Sequence, residues 1–261
     1  MRRGNLVLAA VAALLAPLVA GADSQLTYVR TKAGGQEYVQ PPMEISNGKI
    51  RFASDLPSGQ WMLFDERKKV LIVVDEKEGT WTPLTPEGFA QISALQQQAM
   101  ESIQARLAQL PEDQREQAMK MMPQMPGMTR KEAIRTQRTT RTMDVGKNTC
   151  VVLEIYRGSQ KTSESCVVPR QQLGIPKEDY NTLMAMQDFF VDISSSFFEM
   201  DTNYFFGDAS REEIPVYMVD FDDSGQETTR FQSASFESID PGRFKLDPRL
   251  REKDIMSQMQ R

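Results

Sequence analysis

The order of apolar and polar residues along the chain predicts strands first, then a helical segment, then strands and a second helix. Short runs with strand-like patterns, separated by polar turns, are predicted at 25–32, 49–53, 61–65, 70–75 and 80–83. The run from Val70 to Val74 is apolar at every position, so a strand formed by it needs cover on both faces. This pattern predicts a sheet with an enclosed inner surface.

A helical insertion is predicted at about residues 86–128. Pro86 suits the first turn of a helix, and apolar residues then recur every three or four positions as far as Leu110. Pro111 ends this helix, and the segment that follows contains five methionines between positions 119 and 128. The insertion is therefore expected to present an amphipathic helix followed by a methionine-rich segment.

The second half of the chain predicts a return to strands. A polar strand is predicted at 134–143, a helix from Ile175 to about Glu199, and a last hairpin around residues 223–225. The charged tail after Phe244 is expected to be frayed. This order predicts the α+β class, with a curved antiparallel sheet and helices packed on it. No repeat or linker divides the chain, so residues 23–261 are predicted to form a single domain.

The first 22 residues have the pattern of a signal peptide. Arg2 and Arg3 precede an apolar run, and the small residues Ala20-Gly21-Ala22 follow it. We expect cleavage after Ala22 and an exported, soluble protein of the periplasm. No cysteine lies at the cleavage site to carry a lipid anchor. No later run of about 20 apolar residues predicts a transmembrane segment in the mature chain.

Cys150 and Cys166 are the two cysteines of the chain, and an oxidising compartment would pair them. Both segments flanking Gly158 are predicted to be extended. If the cysteines face each other directly, the hairpin needs a loop of odd length, such as Arg157-Gly158-Ser159. A redox function is disfavoured because no Cys-x-x-Cys motif is present. The sequence predicts a structural disulfide.

The composition excludes several classes of function. The 261 residues include 31 basic and 36 acidic side chains and no histidine. An acidic balance does not favour nucleic-acid binding. Without imidazole, Ser-His and Cys-His nucleophile pairs and most zinc sites are excluded, and no cofactor motif is present. We expect no enzyme activity, catalytic residue, cofactor or resident metal, although chemistry based on carboxylates alone is not excluded.

Two sets of residues are candidates for binding. Aromatic and branched residues of the early strands are predicted to line a ligand cavity, with ordinary core packing as the alternative: Trp61, Leu63, Phe64, Ile72, Val74 and Trp81. Four residues of the insertion are predicted to form a lid or a partner surface: Met119, Met122, Met125 and Met128. Flexible thioethers adapt to varied ligands and also suit Cu(I), so plain packing, Cu(I) binding and oxidation sensing stay open as alternatives.

Several strand edges and turns, spread over most of the mature chain, carry a family resemblance. They are Lys49-Ile50-Arg51, Trp61 to Asp65, Val70 to Asp75, Trp81 to Leu84, Gly146 to Cys150 and Ile214 to Tyr217. These stretches resemble the LolA-like superfamily of periplasmic lipoprotein and lipid carriers, and more closely an uncharacterised family of secreted bacterial proteins of that fold. The resemblance implies a half-open barrel that holds a hydrophobic cavity lidded by helices. The methionine-rich insertion departs from the family pattern.

From the resemblance and the apolar strands, we expect an exported binding protein that holds a lipid, an acyl chain or a lipid-modified partner. Two alternatives stay open. One is a structural or protein-interaction module of the cell envelope, which would bind an envelope protein and no small ligand. The other is methionine-based Cu(I) binding or oxidation sensing.

Overall fold

The computed structural model describes residues 23–53, 60–112, 114–115, 133–194, 199–200, 211–222 and 225–254. The predicted signal peptide, residues 1–22, lies outside the described residues. So do the predicted lid methionines, Met119, Met122, Met125 and Met128.

One large sheet contains all the strands of the described residues. In chain order these are β1 Ser24–Thr31, β2 Glu37–Val39, β3 Met43–Ser46, β4 Lys49–Ala53, β5 Gln60–Asp65, β6 Val70–Asp75, β7 Thr80–Leu84, β8 Ala133–Val145, β9 Asn148–Arg157, β10 Gln160–Pro169, β11 Glu199–Met200, β12 Glu213–Asp222, β13 Gly225–Ser235 and β14 Arg251–Glu252. The helices are α1 Pro86–Ala108, the short α2 Arg170–Leu173 and α3 Lys177–Ser194.

The strand order across the sheet is β11-β8-β9-β10-β12-β13-β1-β3-β4-β5-β6-β7-β14, with β2 paired beside β1. Neighbouring strands are antiparallel except at the two ends, where β11 pairs with β8 and β14 pairs with β7 in parallel. The amino-terminal strand β1 therefore lies between the two halves of the sheet. The predicted curved antiparallel sheet with helices is confirmed, and the sheet is not closed.

Helix α3 covers one face of β1, β3, β4 and β5, which we call the inner face. Its residues Leu183, Met186 and Phe189 belong to one core cluster with four strand residues that are at most 1% exposed: Leu26, Ile45, Ile50 and Phe64. The rings of Phe64 and Phe189 lie 5.6 Å apart between centroids. Helix α3 ends at Ser194, and the predicted continuation to Glu199 is wrong because Glu199 belongs to strand β11.

Helix α1 begins where the sequence predicts, at Pro86. The Thr85 side chain caps it by accepting a hydrogen bond from the Gly88 N–H, at 3.1 Å. Its apolar stripe is buried only near the start: Ile92 is 6% exposed, whereas Leu95 is 48% exposed. Ile103, Leu107 and Leu110 are partly buried, so the described part of the chain covers the later turns of this stripe incompletely.

The predicted disulfide between Cys150 and Cys166 is present, with a Cα–Cα distance of 5.4 Å. Its predicted register is wrong. Cys166 lies opposite Val152, and Gln160 lies opposite Arg157, so the turn has two residues instead of three. A bulge follows the turn in β10 and shifts the register, which makes the cysteines diagonal neighbours.

Residues 245–254 of the carboxy-terminal tail pack on the sheet, so the predicted fraying after Phe244 is wrong over this part. Phe244 is 5% exposed and packs with Leu63 and Ile239 on the face opposite α3, the outer face. Beyond it, β14 pairs with β7, and the Lys253 N–H donates to the carbonyl oxygen of Trp81 at 2.8 Å. The tail thereby covers an edge of the sheet.

A buried carboxyl group at the start of α3 makes the stability of the fold depend on pH. Asp179 is 6% exposed and accepts a hydrogen bond from the Ser24 hydroxyl. Desolvation raises the pKa of Asp179 to about 6, and the nearby carboxylates of Asp23 and Glu178 act in the same direction, against the Ser24 hydrogen bond. The unfolded chain, by contrast, titrates this group near its ordinary pKa of about 3.9.

Because the folded pKa of Asp179 is raised, this group favours folding at acidic pH and loses that contribution as pH rises through about 6. We expect Asp179→Asn to be more stable than the wild type at pH 7.5 by about 1 kcal/mol, which is discounted from the full shift for solvent screening. At pH 3.5 the two proteins should have equal stability. Urea unfolding at both pH values tests this prediction. An equal difference in unfolding free energy at the two pH values would contradict the raised pKa of Asp179.

Candidate functional site

The six predicted cavity residues lie on two different faces of the sheet. Five share the outer face through cross-strand pairs: Trp61, Leu63, Ile72, Val74 and Trp81. Of these, Leu63 packs against Ile239 and Phe244 of the tail. Phe64 points to the inner face and packs against α3, because successive side chains along β5 alternate. The six residues therefore do not line one common surface.

An open cleft lies on the inner face, beside the part that α3 covers. Its volume is about 400 Å³, within the roughly 300–1,000 Å³ of small-molecule sites. On each of four strands, the residue that lines the cleft stands two positions from a fully buried core residue. These pairs are Tyr28 with Leu26, Met43 with Ile45, Phe52 with Ile50, and Met62 with Phe64. Strand alternation puts each pair on the same face, so the cleft continues the core surface beyond the helix.

The two walls of the cleft differ in polarity. The wall formed by β3, β4, β5 and the turn before β3 is mainly apolar, with Pro41, Met43, Phe52, Ala53 and Met62, and its polar residue is Gln40. The opposite wall, formed by β10, β12, β13 and β1, carries the polar side chains Arg30, Ser163, Ser165, Asp220 and Thr229. Such a surface suits an amphiphilic ligand, since each part of the ligand meets groups of its own polarity.

Tyr28 forms part of the cleft floor. Its ring packs edge-to-face on Phe231, with centroids 5.7 Å apart, and its hydroxyl donates a long hydrogen bond to the carbonyl oxygen of Pro215. Burial raises the pKa of Tyr28 above its ordinary value. The phenol therefore stays neutral at physiological pH, and the floor carries no charge of its own at this position.

The charged groups at the polar wall and behind it are compensated by neighbouring residues. Arg30 donates two hydrogen bonds to Glu227. Glu164 accepts hydrogen bonds from Lys161 at 2.6 Å and from Arg141 at 2.8 Å. Desolvation alone would raise the pKa of Glu164, but these two cations lower it overall, so the carboxylate stays ionised. Alternation along β10 puts the Glu164 side chain and its two cations on the face opposite Ser163 and Ser165, so the ion pair at the cleft itself is that of Arg30 with Glu227.

A second concavity, of about 620 Å³, lies on the outer face beneath the tail. The Arg51 guanidinium stacks over the Trp61 ring at 4.5 Å, and the Trp61 indole N–H donates to Glu76 at 2.9 Å. Arg51 and Arg243 both pair with Glu44. Arg51, Trp61, Glu76 and Arg243 of this concavity are therefore engaged in contacts within the chain.

The sequence analysis missed the residues of the inner-face cleft. The alternating pattern of an ordinary strand accounts for Met43, Phe52 and Met62. The hairpins that contain Ser165 and Met218 have no sequence motif that indicates binding. Only the register brings them together, since it pairs Phe52 with Met62 and Ser165 with Met218. The available clue was the alternation of apolar residues on β1, β4 and β5, which extends one position beyond the core.

Comparisons with known proteins add no family to this geometry: no protein-family model and no curated protein sequence matches the chain. Within the described residues, no group of three His, Cys, Asp or Glu side chains is placed so that it could hold a metal ion. No helix in the same part of the chain is both long and apolar enough to cross a membrane.

Proposed function

We propose that the protein is an exported binding protein that holds one acyl chain, of a lipid or of a lipid-modified partner, in the inner-face cleft. The observation that carries this proposal is the continuity of the cleft with the core. Met43, Phe52 and Met62 present apolar side chains at positions that would be core if α3 extended over them. An acyl chain in the cleft would cover these side chains as α3 covers the neighbouring core residues.

The energetics of such binding need no charged or catalytic group. Burial of apolar surface contributes roughly 25 cal/mol per Å², and about 0.8 kcal/mol for each buried CH₂ group. Methionine side chains at positions 43, 62 and 218 line the cleft, and flexible thioethers adapt to chains of different length and curvature. The cleft is therefore suited to acyl chains as a class.

The half-open barrel of the LolA-like carriers is the architecture that this function implies. An unclosed, curved sheet with part of its inner face under a helix supports that assignment. The signal-peptide pattern at residues 1–22 and the disulfide support export to the periplasm, because disulfides persist in oxidising compartments.

The direct test is to titrate the protein with an uncharged acyl probe that carries a fluorophore at the end of its chain. We expect saturable binding by the wild type, with one probe per protein. The double variant Met43→Gln/Met62→Gln should bind about tenfold more weakly, because amide groups replace apolar surface in the cleft.

Met184→Gln is the matched control for this experiment. Met184 is a partly buried methionine of α3 that packs against the core outside the cleft. Its variant should bind the probe like the wild type. Absence of binding by the wild type, or equal losses in the double variant and the control, would contradict the proposed function.

A protein-interaction module of the envelope is the second candidate function. It is favoured by the exposure of Leu95 on the apolar stripe of α1, which the described residues leave uncovered. Saturable probe binding that depends on Met43 and Met62 would favour the acyl-chain carrier over this module. The methionines on which Cu(I) binding or oxidation sensing would depend lie outside the described residues, and that alternative stays a prediction.

A further inference from the structure

The polar wall of the inner-face cleft contains a buried hydroxyl group with no hydrogen-bond partner. Ser165 is 5% exposed, and its Oγ neither donates nor accepts a hydrogen bond among the described residues. Its cross-strand neighbours are apolar, Leu153 on β9 and Met218 on β12. Buried hydroxyl groups are nearly always hydrogen-bonded. Ser165 lines the cleft, so a ligand bound there could supply the hydrogen-bond partner that its hydroxyl lacks.

A second hydroxyl lies on the same wall. Ser163 is two residues before Ser165 on β10, lines the cleft and is 6% exposed. Strand alternation directs both side chains to the same face. Two hydroxyl groups, each able to donate and to accept, thus lie opposite the apolar wall that would hold the chain. They fit the hydroxyl and ester oxygens of a polar head group.

The charges on this wall argue against an anionic head group. The charged side chains that strand alternation directs into the cleft are one cation, Arg30, and one carboxylate, Asp220. The Arg30 guanidinium is already bonded to a second carboxylate, that of Glu227. A carboxylate or phosphate on the ligand would therefore lose its hydration and meet a wall of its own sign.

A cationic head group is no better matched. Asp220, the carboxylate that faces the cleft, already takes part in an interaction within the chain. A ligand ammonium would have to compete with that interaction after losing its own hydration. An uncharged head group avoids both costs and still satisfies the buried hydroxyl of Ser165.

We propose that the cleft selects single-chain amphiphiles with an uncharged head group that carries hydroxyl or ester oxygens, and that Ser165 is the residue that determines this selectivity. This inference rests on the proposed function, because it names the head group of the same ligand. It adds a specific residue, Ser165, that is separate from the apolar wall.

The experiment compares a monoacylglycerol, a fatty acid and a fatty amine of equal chain length, each below its aggregation concentration at pH 8. Affinities are measured by displacement of the uncharged acyl probe. We expect the monoacylglycerol to bind the wild type at least tenfold more tightly than either charged ligand. Ser165→Ala should weaken monoacylglycerol binding about tenfold, through the loss of one hydrogen bond, and leave the fatty acid unaffected.

Ser233→Ala is the matched control, because Ser233 is an exposed serine of β13 outside the cleft lining. It should change none of the three affinities. A fatty acid or amine that binds as tightly as the monoacylglycerol, or a Ser165→Ala variant with unchanged preference, would overturn the inference while leaving acyl-chain binding intact. If none of the ligands nor the probe binds the wild type, the proposed function fails and the inference fails with it. The wild-type ranking tests selectivity even if a variant does not fold.

Discussion

Replacing Phe64 by alanine is expected to lower the free energy of unfolding by about 4 kcal/mol. Phe64 is 1% exposed, and its ring packs against Phe189 of α3 with centroids 5.6 Å apart. Truncation would remove the contact that joins strand β5 to this helix and leave a cavity between them. Urea unfolding followed by circular dichroism measures the effect.

Met62→Ala is the control for this prediction, because Met62 lies two residues away on the same face of the same strand. Met62 is only half-buried and lines the cleft. We expect a cost of about 1 kcal/mol for Met62→Ala, since the site is already partly open to solvent. Equal costs for the two variants would show that the boundary between core and cleft is misplaced along β5.

The second large effect is expected from the disulfide. The double variant Cys150→Ala/Cys166→Ala should be about 3 kcal/mol less stable than the oxidised wild type, as the bridge closes a loop with a sequence separation of 16 residues. Both cysteines are at most 1% exposed, so alanine is preferred to serine, which would add buried hydroxyl groups. The midpoint of urea unfolding gives the difference.

Reduction of the wild type provides the comparison for the disulfide variant. Reduced wild type should unfold near the midpoint of the double variant, because both lack the covalent constraint on the unfolded chain. An oxidised wild type no more stable than the double variant would contradict the prediction. In that case the constraint would be offset by strain in the β9–β10 hairpin.

The boundaries of the strands were predictable because turn residues mark them. Strand β6 runs from Val70 to Asp75 and β4 from Lys49 to Ala53, as the sequence indicates. Pro86 and its cap residue Thr85 likewise fix the start of α1. These features depend on a few neighbouring residues, and local propensity is sufficient to predict them.

The register between strands was not predictable in the same way. The direct pairing proposed for Cys150 and Cys166 fails because the turn has two residues instead of three and a bulge in β10 then adds one residue, and no local signal marks the bulge. Contacts between distant parts of the chain also decide what covers each face of a strand. Phe64 and Leu63 are adjacent apolar residues, yet one joins the core under α3 and the other packs beneath the tail.

The cleft could not be predicted from sequence because it is built from strands that are far apart in the chain. Met62 of β5 and Ser165 of β10 line the same space although about a hundred residues separate them. A polar residue such as Ser165 has an ordinary strand pattern around it. Its importance appears only when its neighbours are known and its hydroxyl is seen to lack a partner.

The position of β1 between β13 and β3 has a consequence for the order of folding. Gln25 pairs with Ser235 on one side and with Glu44 on the other. Strand β1 precedes the other described strands in the chain and its neighbours β2 and β3 follow it directly, but β13, on its other side, is completed only at residue 235. The hairpins of β3 to β7 can form early, whereas the two halves of the sheet join late. Slow, non-local closure therefore governs the final folding step, and until then one edge of β1 can pair with other chains.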